Sequence, residues 1–123
     1  MQKITIDFEA NEQTLTRTSE LIRVSSGTQN YLTASFRLGA NWQNFDKVYA
    51  IWHNSFDKEP SLLDSESRCI IPSSVLDDIG TVRVNLEGIK GEAEAVLTTY
   101  TTEAVIIDER VPIDGEESEP LKR

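Results

Sequence analysis

Apolar residues return at every second position along most of this chain. In KITIDF the side chains of Ile4, Ile6 and Phe8 share one face of an extended segment, and in YLTASFRL Leu32, Ala34, Phe36 and Leu38 point opposite to Thr33, Ser35 and Arg37. TVRVNLEG repeats the device, with Val82, Val84 and Leu86 turned one way and Arg83, Asn85 and Glu87 the other. A period of two with one apolar face predicts half-buried strands, and SELIRV, SRCII and EAVIIDE add shorter runs rich in β-branched residues. KVYAIWH (47–53) is apolar on both faces. It predicts a central strand covered on both sides, or one whose outer face meets another subunit.

The punctuation agrees with many short strands. SSGTQN (25–30), LGAN (38–41), NSFDKEP (54–60) and GIKGE (88–92) are turn material. One helical turn is predicted near 73–78, in PSSVLDDIG, where Pro72 leads in, Ser73 or Ser74 can cap and Gly80 ends the turn. The expected fold is therefore all-β, an antiparallel sandwich or jelly-roll-like barrel over residues 1–109. From Asp108 onward DERVPIDGEESEPLKR carries six acidic residues against three basic, with two prolines, and reads as an acidic C-terminal arm over 110–123.

Composition narrows the classes of function. The chain has 123 residues, the usual size of one domain, and 38% hydrophobic content. A formal charge of −9 disfavours nucleic acid and anionic membrane surfaces as direct ligands, because phosphate recognition draws its affinity from Lys and Arg. Nothing in MQKITIDFEANEQ resembles a targeting segment, and no apolar run approaches the ~18 residues that a membrane-spanning helix needs. Cys69 is the single cysteine, so an intrachain disulfide is excluded, and its setting in RCIIP predicts packing rather than chemistry.

Candidate chemistry is sparse. His53, the single histidine, stands near Ser55 and Asp57, but no G-x-S-x-G elbow accompanies them, and a solvated or hydrogen-bonded strand-end histidine is the expectation. The acidic runs LLDSES, LDDIG and IDGEESE lack the spacing of a calcium loop, and GIKGE lacks the G-K-[ST] of a phosphate loop. No cofactor, metal site or catalytic residue is expected, and the chain is read as non-enzymatic. The aromatics of GANWQNFDKVYAIWH pose a choice. Trp42 and Trp52 can form a platform for sugar rings, or they can be core and interface. Core or interface is favoured, since the flanks lack the acids and amides that fix sugar hydroxyls.

The order of these segments resembles a known family. Phe36, Leu38, Trp42, Phe45 and Lys47 are followed by Cys69, Ile71, Pro72, Val75 and Leu76. Gly80, Val82, Val84 and Gly88 come next, and then Leu97, Thr99 and Tyr100. Over roughly residues 31–107 the pattern resembles the N-terminal domain of baseplate and tail-fibre proteins, of the upper baseplate protein type, and related small virion accessory proteins in phages of Gram-positive hosts. The resemblance implies a virion structural protein, an anchor or adaptor domain that attaches to the tail, baseplate or capsid and supports a fibre. Capsid decoration or the base of a head fibre is the alternative within that class, and a carbohydrate-binding module the alternative outside it. It further implies a location in the virion, with host cytoplasm during assembly. The expected partners are other virion proteins and copies of the chain itself, as a trimer or higher ring, with a host surface glycan as the less favoured ligand. The residues expected at partner contacts are Tyr49 and Ile51 on the outer side of KVYAIWH, and Val111, Pro112, Ile113 and Leu121 in the arm.

Overall fold

The computed structural model describes residues 4–28, 32–91 and 95–109. Among these residues ten strands form two packed sheets. In chain order they are β1 (Ile4–Asn11), β2 (Thr14–Arg17), β3 (Ile22–Ser25), β4 (Leu32–Leu38), β5 (Lys47–His53), β6 (Lys58–Leu62), β7 (Arg68–Ile70), β8 (Gly80–Lys90), β9 (Ala95–Thr98) and β10 (Thr102–Asp108). The smaller sheet runs β2-β1-β4-β7 and the larger β3-β10-β8-β5-β6, with β9 paired to the far half of the long strand β8. The all-β sandwich is as the alternating pattern predicts.

Strand direction differs from the expectation. Both sheets are mixed, because β1 lies parallel to β4 and β3 parallel to β10, while the other pairs are antiparallel. A period of two reports which face is buried and says nothing about the direction of the neighbour. The chain makes the first parallel pair by leaving β1, adding β2 on its outer edge and crossing to the larger sheet for β3 before returning as β4.

The helical turn near 73–78 is a short 3-10 turn, Ser73–Leu76, which Pro72 enters in extended backbone with no side-chain cap. A second 3-10 turn, Ala40–Trp42, follows β4 and has no counterpart in the sequence-based expectation. Its role is to carry Trp42 inward.

The interior is built from the inward positions of both sheets. Phe8 and Phe36 stack at 4.9 Å from the parallel pair β1–β4, and Trp52 of β5 meets both rings at 6.3 and 6.4 Å from the opposite sheet. Val82, Val84 and Leu86 of β8 complete the layer, all fully buried. Where β9 leaves β8, buried Thr99 takes over the ladder: its Oγ1 accepts from the Leu86 N–H at 2.9 Å and its own N–H donates to the Leu86 carbonyl at 3.0 Å. Arg17 joins the sheets at one side by donating from Nη1 to the Glu103 carbonyl at 2.7 Å.

Candidate functional site

The two indoles do not form a platform. Trp52 is fully buried at the centre of the core and Trp42 is 1% exposed, so neither presents a ring face to solvent. Trp42 plugs one end of the sandwich, because its Nε1–H donates to the Glu12 carbonyl at 2.8 Å and its ring packs on Phe45 at 5.6 Å. Gly88 completes this plug from β8. A Cβ there would lie 2.8 Å from the Phe45 ring and 3.0 Å from Trp42, which is why the strand carries glycine. Sequence left the two indoles between a platform and core or interface; the space that Gly88 clears for Trp42 arises only once β8 pairs with β5.

The Trp52 indole N–H finds no normal hydrogen-bond partner. It acts instead on the Cys69 thiol of β7, pulling its pKa down, while burial dominates and pushes that thiol up to about 12. Cys69 is therefore a protonated packing group at physiological pH.

His53, Ser55 and Asp57 line one shallow concavity of about 380 Å³ beyond the end of β5. The hydrogen bonds there belong to Asn54. Its Oδ1 accepts from the Phe56 and Asp57 N–H groups, both at 2.7 Å, and its Nδ2 donates to the Val75 carbonyl at 3.1 Å. This ties the β5–β6 turn to the 3-10 turn and leaves Phe56 on its tip, 74% exposed. Burial lowers the His53 pKa first, and the cations Lys58 and Arg83 lower it further against a side-chain hydrogen bond with Asn85. Among the described residues no three His, Cys, Asp or Glu side chains gather to hold a metal ion, and no helix is long and apolar enough to cross a membrane.

Among the described residues, the outer face of the larger sheet combines apolar and cationic groups in register. Val48, Ala50 and Trp52 of β5 point inward, so Tyr49, Ile51 and His53 point out, and all three are half-buried by their neighbours. Directly opposite residues share a face. Tyr49 therefore stands between Leu62 of β6 and Glu87 of β8, Ile51 between Pro60 and Asn85, and His53 between Lys58 and Arg83. Leu62 is 54% exposed. Of the residues expected at partner contacts, Tyr49 and Ile51 lie on this outward side; Val111, Pro112, Ile113 and Leu121 lie outside the described residues.

The β6 edge of this face has an interrupted row of donors. Bonds from the Leu63 N–H to the Val48 carbonyl (2.9 Å) and from the Asn54 N–H to the Asp57 carbonyl (3.0 Å) turn the backbone groups of 57, 59, 61 and 63 toward β5. Lys58, Pro60 and Leu62 hence direct theirs to the free edge, where Pro60 supplies no donor.

No family model matches the chain, and no curated protein matches it. Among solved structures the fold is similar to the N-terminal domain of phage TP901-1 ORF48, at 12% sequence identity and a TM-score of 0.56, over 89% of this chain and 100% of that one. The architecture described above is thus one that a phage protein domain also uses.

Proposed function

We propose that this chain is a structural domain of a bacteriophage virion, without enzymatic activity, that anchors onto the tail, baseplate or capsid and supports a fibre. The observation that carries the reading is the likeness in fold to a phage protein domain over 89% of the chain, in a sequence whose ordered motifs independently resemble the upper baseplate type. The outer face of the larger sheet supports it physically. Tyr49, Ile51, Pro60 and Leu62 give an apolar centre with a charged border, the composition of a protein contact that excludes water at its middle. Copies of the chain are proposed to assemble as a trimer or higher ring, with this face or the arm residues Val111, Pro112, Ile113 and Leu121 meeting other virion proteins. Neither nucleic acid nor membrane is a proposed partner, given the charge of −9.

A host glycan is the less favoured ligand, since burial of Trp42 and Trp52 removes the proposed sugar platform. The test is mass spectrometry of purified particles separated into heads and tails, with light scattering on the free chain. Recovery with tails supports the baseplate role and recovery with heads the decoration or head-fibre role. Absence from both overturns the virion reading.

A further inference from the structure

The outward residues at the middle of β8 are Arg83, Asn85 and Glu87, a cation, an amide and an anion in series, while Val82, Val84 and Leu86 between them point inward. Turned end for end, this series is its own electrostatic complement. A second β8 laid over the first in the opposite direction sets Arg83 over Glu87, Asn85 over Asn85 and Glu87 over Arg83. The neighbouring strands obey the same operation. Asn85, Ile51 and Pro60 form one cross-strand row, and a two-fold axis along it lays Ile51 on Ile51 and Pro60 on Pro60. The row Glu87–Tyr49–Leu62 of one copy then faces the row Arg83–His53–Lys58 of the other.

Neither row needs an excess of charge for this match. Glu103 touches Arg83 at 3.9 Å with both side chains about half exposed (47% and 48%), so the guanidinium keeps donors for a second carboxylate. Lys58 meets Leu62, along which its stem can lie with the ammonium at the rim. Asn85 carries both a donor and an acceptor, so it can meet its own copy. A two-fold axis running along the strands instead sets every row against itself, and Arg83 then never meets Glu87. Stacked sheets cross at ~30°, and residues 83 and 87 lie ~7 Å from the axis, so the crossing offsets them by ~3–4 Å. Arg and Glu side chains span that offset. Four strand positions by the length of Arg83–Ile89 give a face of about 400 Å², half of what a standard interface buries on each partner, which makes the contact a weak one.

We propose that the outer face of the larger sheet binds a second copy of this chain through a two-fold contact about the row Asn85–Ile51–Pro60, with Arg83 of each copy on Glu87 of the other. The apolar residues fill the centre, and the two reciprocal ion pairs fix the direction in which the copies meet. Such a contact closes with two copies, so it is separate from the ring proposed above. It is a property of the free chain and does not rest on the virion role.

The test is charge reversal in the full chain, read as mass against concentration by sedimentation at low ionic strength. The unaltered chain is expected to rise toward the mass of two copies. Arg83→Glu and Glu87→Arg are each expected to hold it at one copy, since either sets like charges together at both ion pairs. Both reversals in one chain, or the two single variants mixed in equal amounts, are expected to recover the pair. The single variants carry −11 and −7 in place of −9, so net charge does not draw the mixture together. Cross-linking gives a second measurement. A short bismaleimide is expected to join two copies of Asn85→Cys, which lies on the axis, and to leave Ser35→Cys on the opposite sheet single, with Cys69 slow to react because its thiol stays protonated. A chain that stays single at every concentration, a reversal that leaves the mass unchanged, or a mixture that fails to recover the pair would overturn the contact. So would equal cross-linking of the two cysteine variants.

Discussion

The two sheets share one interior but turn different surfaces to the outside. On the smaller sheet the outward residues of β1 and β4 are Thr5, Asp7 and Glu9 beside Thr33, Ser35 and Arg37, a run of hydroxyls and charges in which Thr5 and Thr33 hydrogen-bond each other at 2.9 Å. On the larger sheet the corresponding layer is Tyr49, Ile51, Pro60 and Leu62, bordered by the row Lys58–His53–Arg83. The first surface is polar along β1 and β4, and Ile70 of β7, opposite Thr33, is its exposed apolar residue. The second leaves a larger apolar area exposed, with Leu62 54% exposed beside Pro60, and this asymmetry is what the proposed contact rests on. A sandwich needs only its inner layers to fold, so the outer layers are free to diverge, and here they have.

The comparison is broken most severely from the inside, because both faces rest on the same aromatic layer. Trp52→Ala removes the ring that meets Phe8 and Phe36 from the opposite sheet, and is expected to cost about 3–5 kcal/mol in urea unfolding, disordering both faces together. Gly88→Ala strikes one end only. The new Cβ presses on Phe45 and Trp42, so a loss of about 1–3 kcal/mol is expected, read from the shift in unfolding midpoint. A cost near zero would show that the plug yields easily and that Trp42 does not fix the sandwich end.

A third break acts at the seam between the sheets through pH. The Cys69 thiol has its pKa raised from 9.0 to about 12 in the folded chain, so the unfolded chain releases that proton first. The stabilisation is fully present below pH 9 and is lost as pH rises through about 12, amounting to ~1.4 kcal/mol by pH 10. Cys69→Ala, which has no thiol to titrate, is expected to show a flatter alkaline limb in a series of unfolding curves. Parallel limbs would mean the thiol is not shielded from water.

Much of this layering is legible in the sequence, and its limits are physical. Val82, Val84 and Leu86 announce their inward face by alternation, as do Leu32, Ala34 and Phe36, and the two-faced KVYAIWH marks the strand whose outer side is unusual. Strand direction is not encoded in alternation, so the parallel pairs β1–β4 and β3–β10 were not foreseen. The row Lys58–His53–Arg83 was equally hidden. Lys58 and Arg83 lie on opposite flanks of His53 only after β6 and β8 both pair with β5, a non-local event that no window of sequence contains. Trp42 shows the intermediate case, in which an aromatic near a turn is readable as important but its destination depends on Gly88, which clears the space for it.

The smallest effect on folding is expected to be the one that separates the faces. Tyr49→Lys with Ile51→Lys on the larger sheet and Thr16→Lys with Ser35→Lys on the smaller add the same two positive charges at outward positions. Each pair is expected to change stability by no more than about 0.5–1 kcal/mol, because long lysine stems can lie along the sheet with their heads in water. Their effects on assembly are expected to differ. The first pair places charges at the centre of the apolar face, where a partner would have to desolvate them, so incorporation into particles and association of the free chain should both fall sharply. The second pair should leave both unchanged. Equal losses from the two pairs would trace assembly to net charge instead of to a face, whereas loss from the smaller sheet alone would move the contact to the polar side and reverse the comparison.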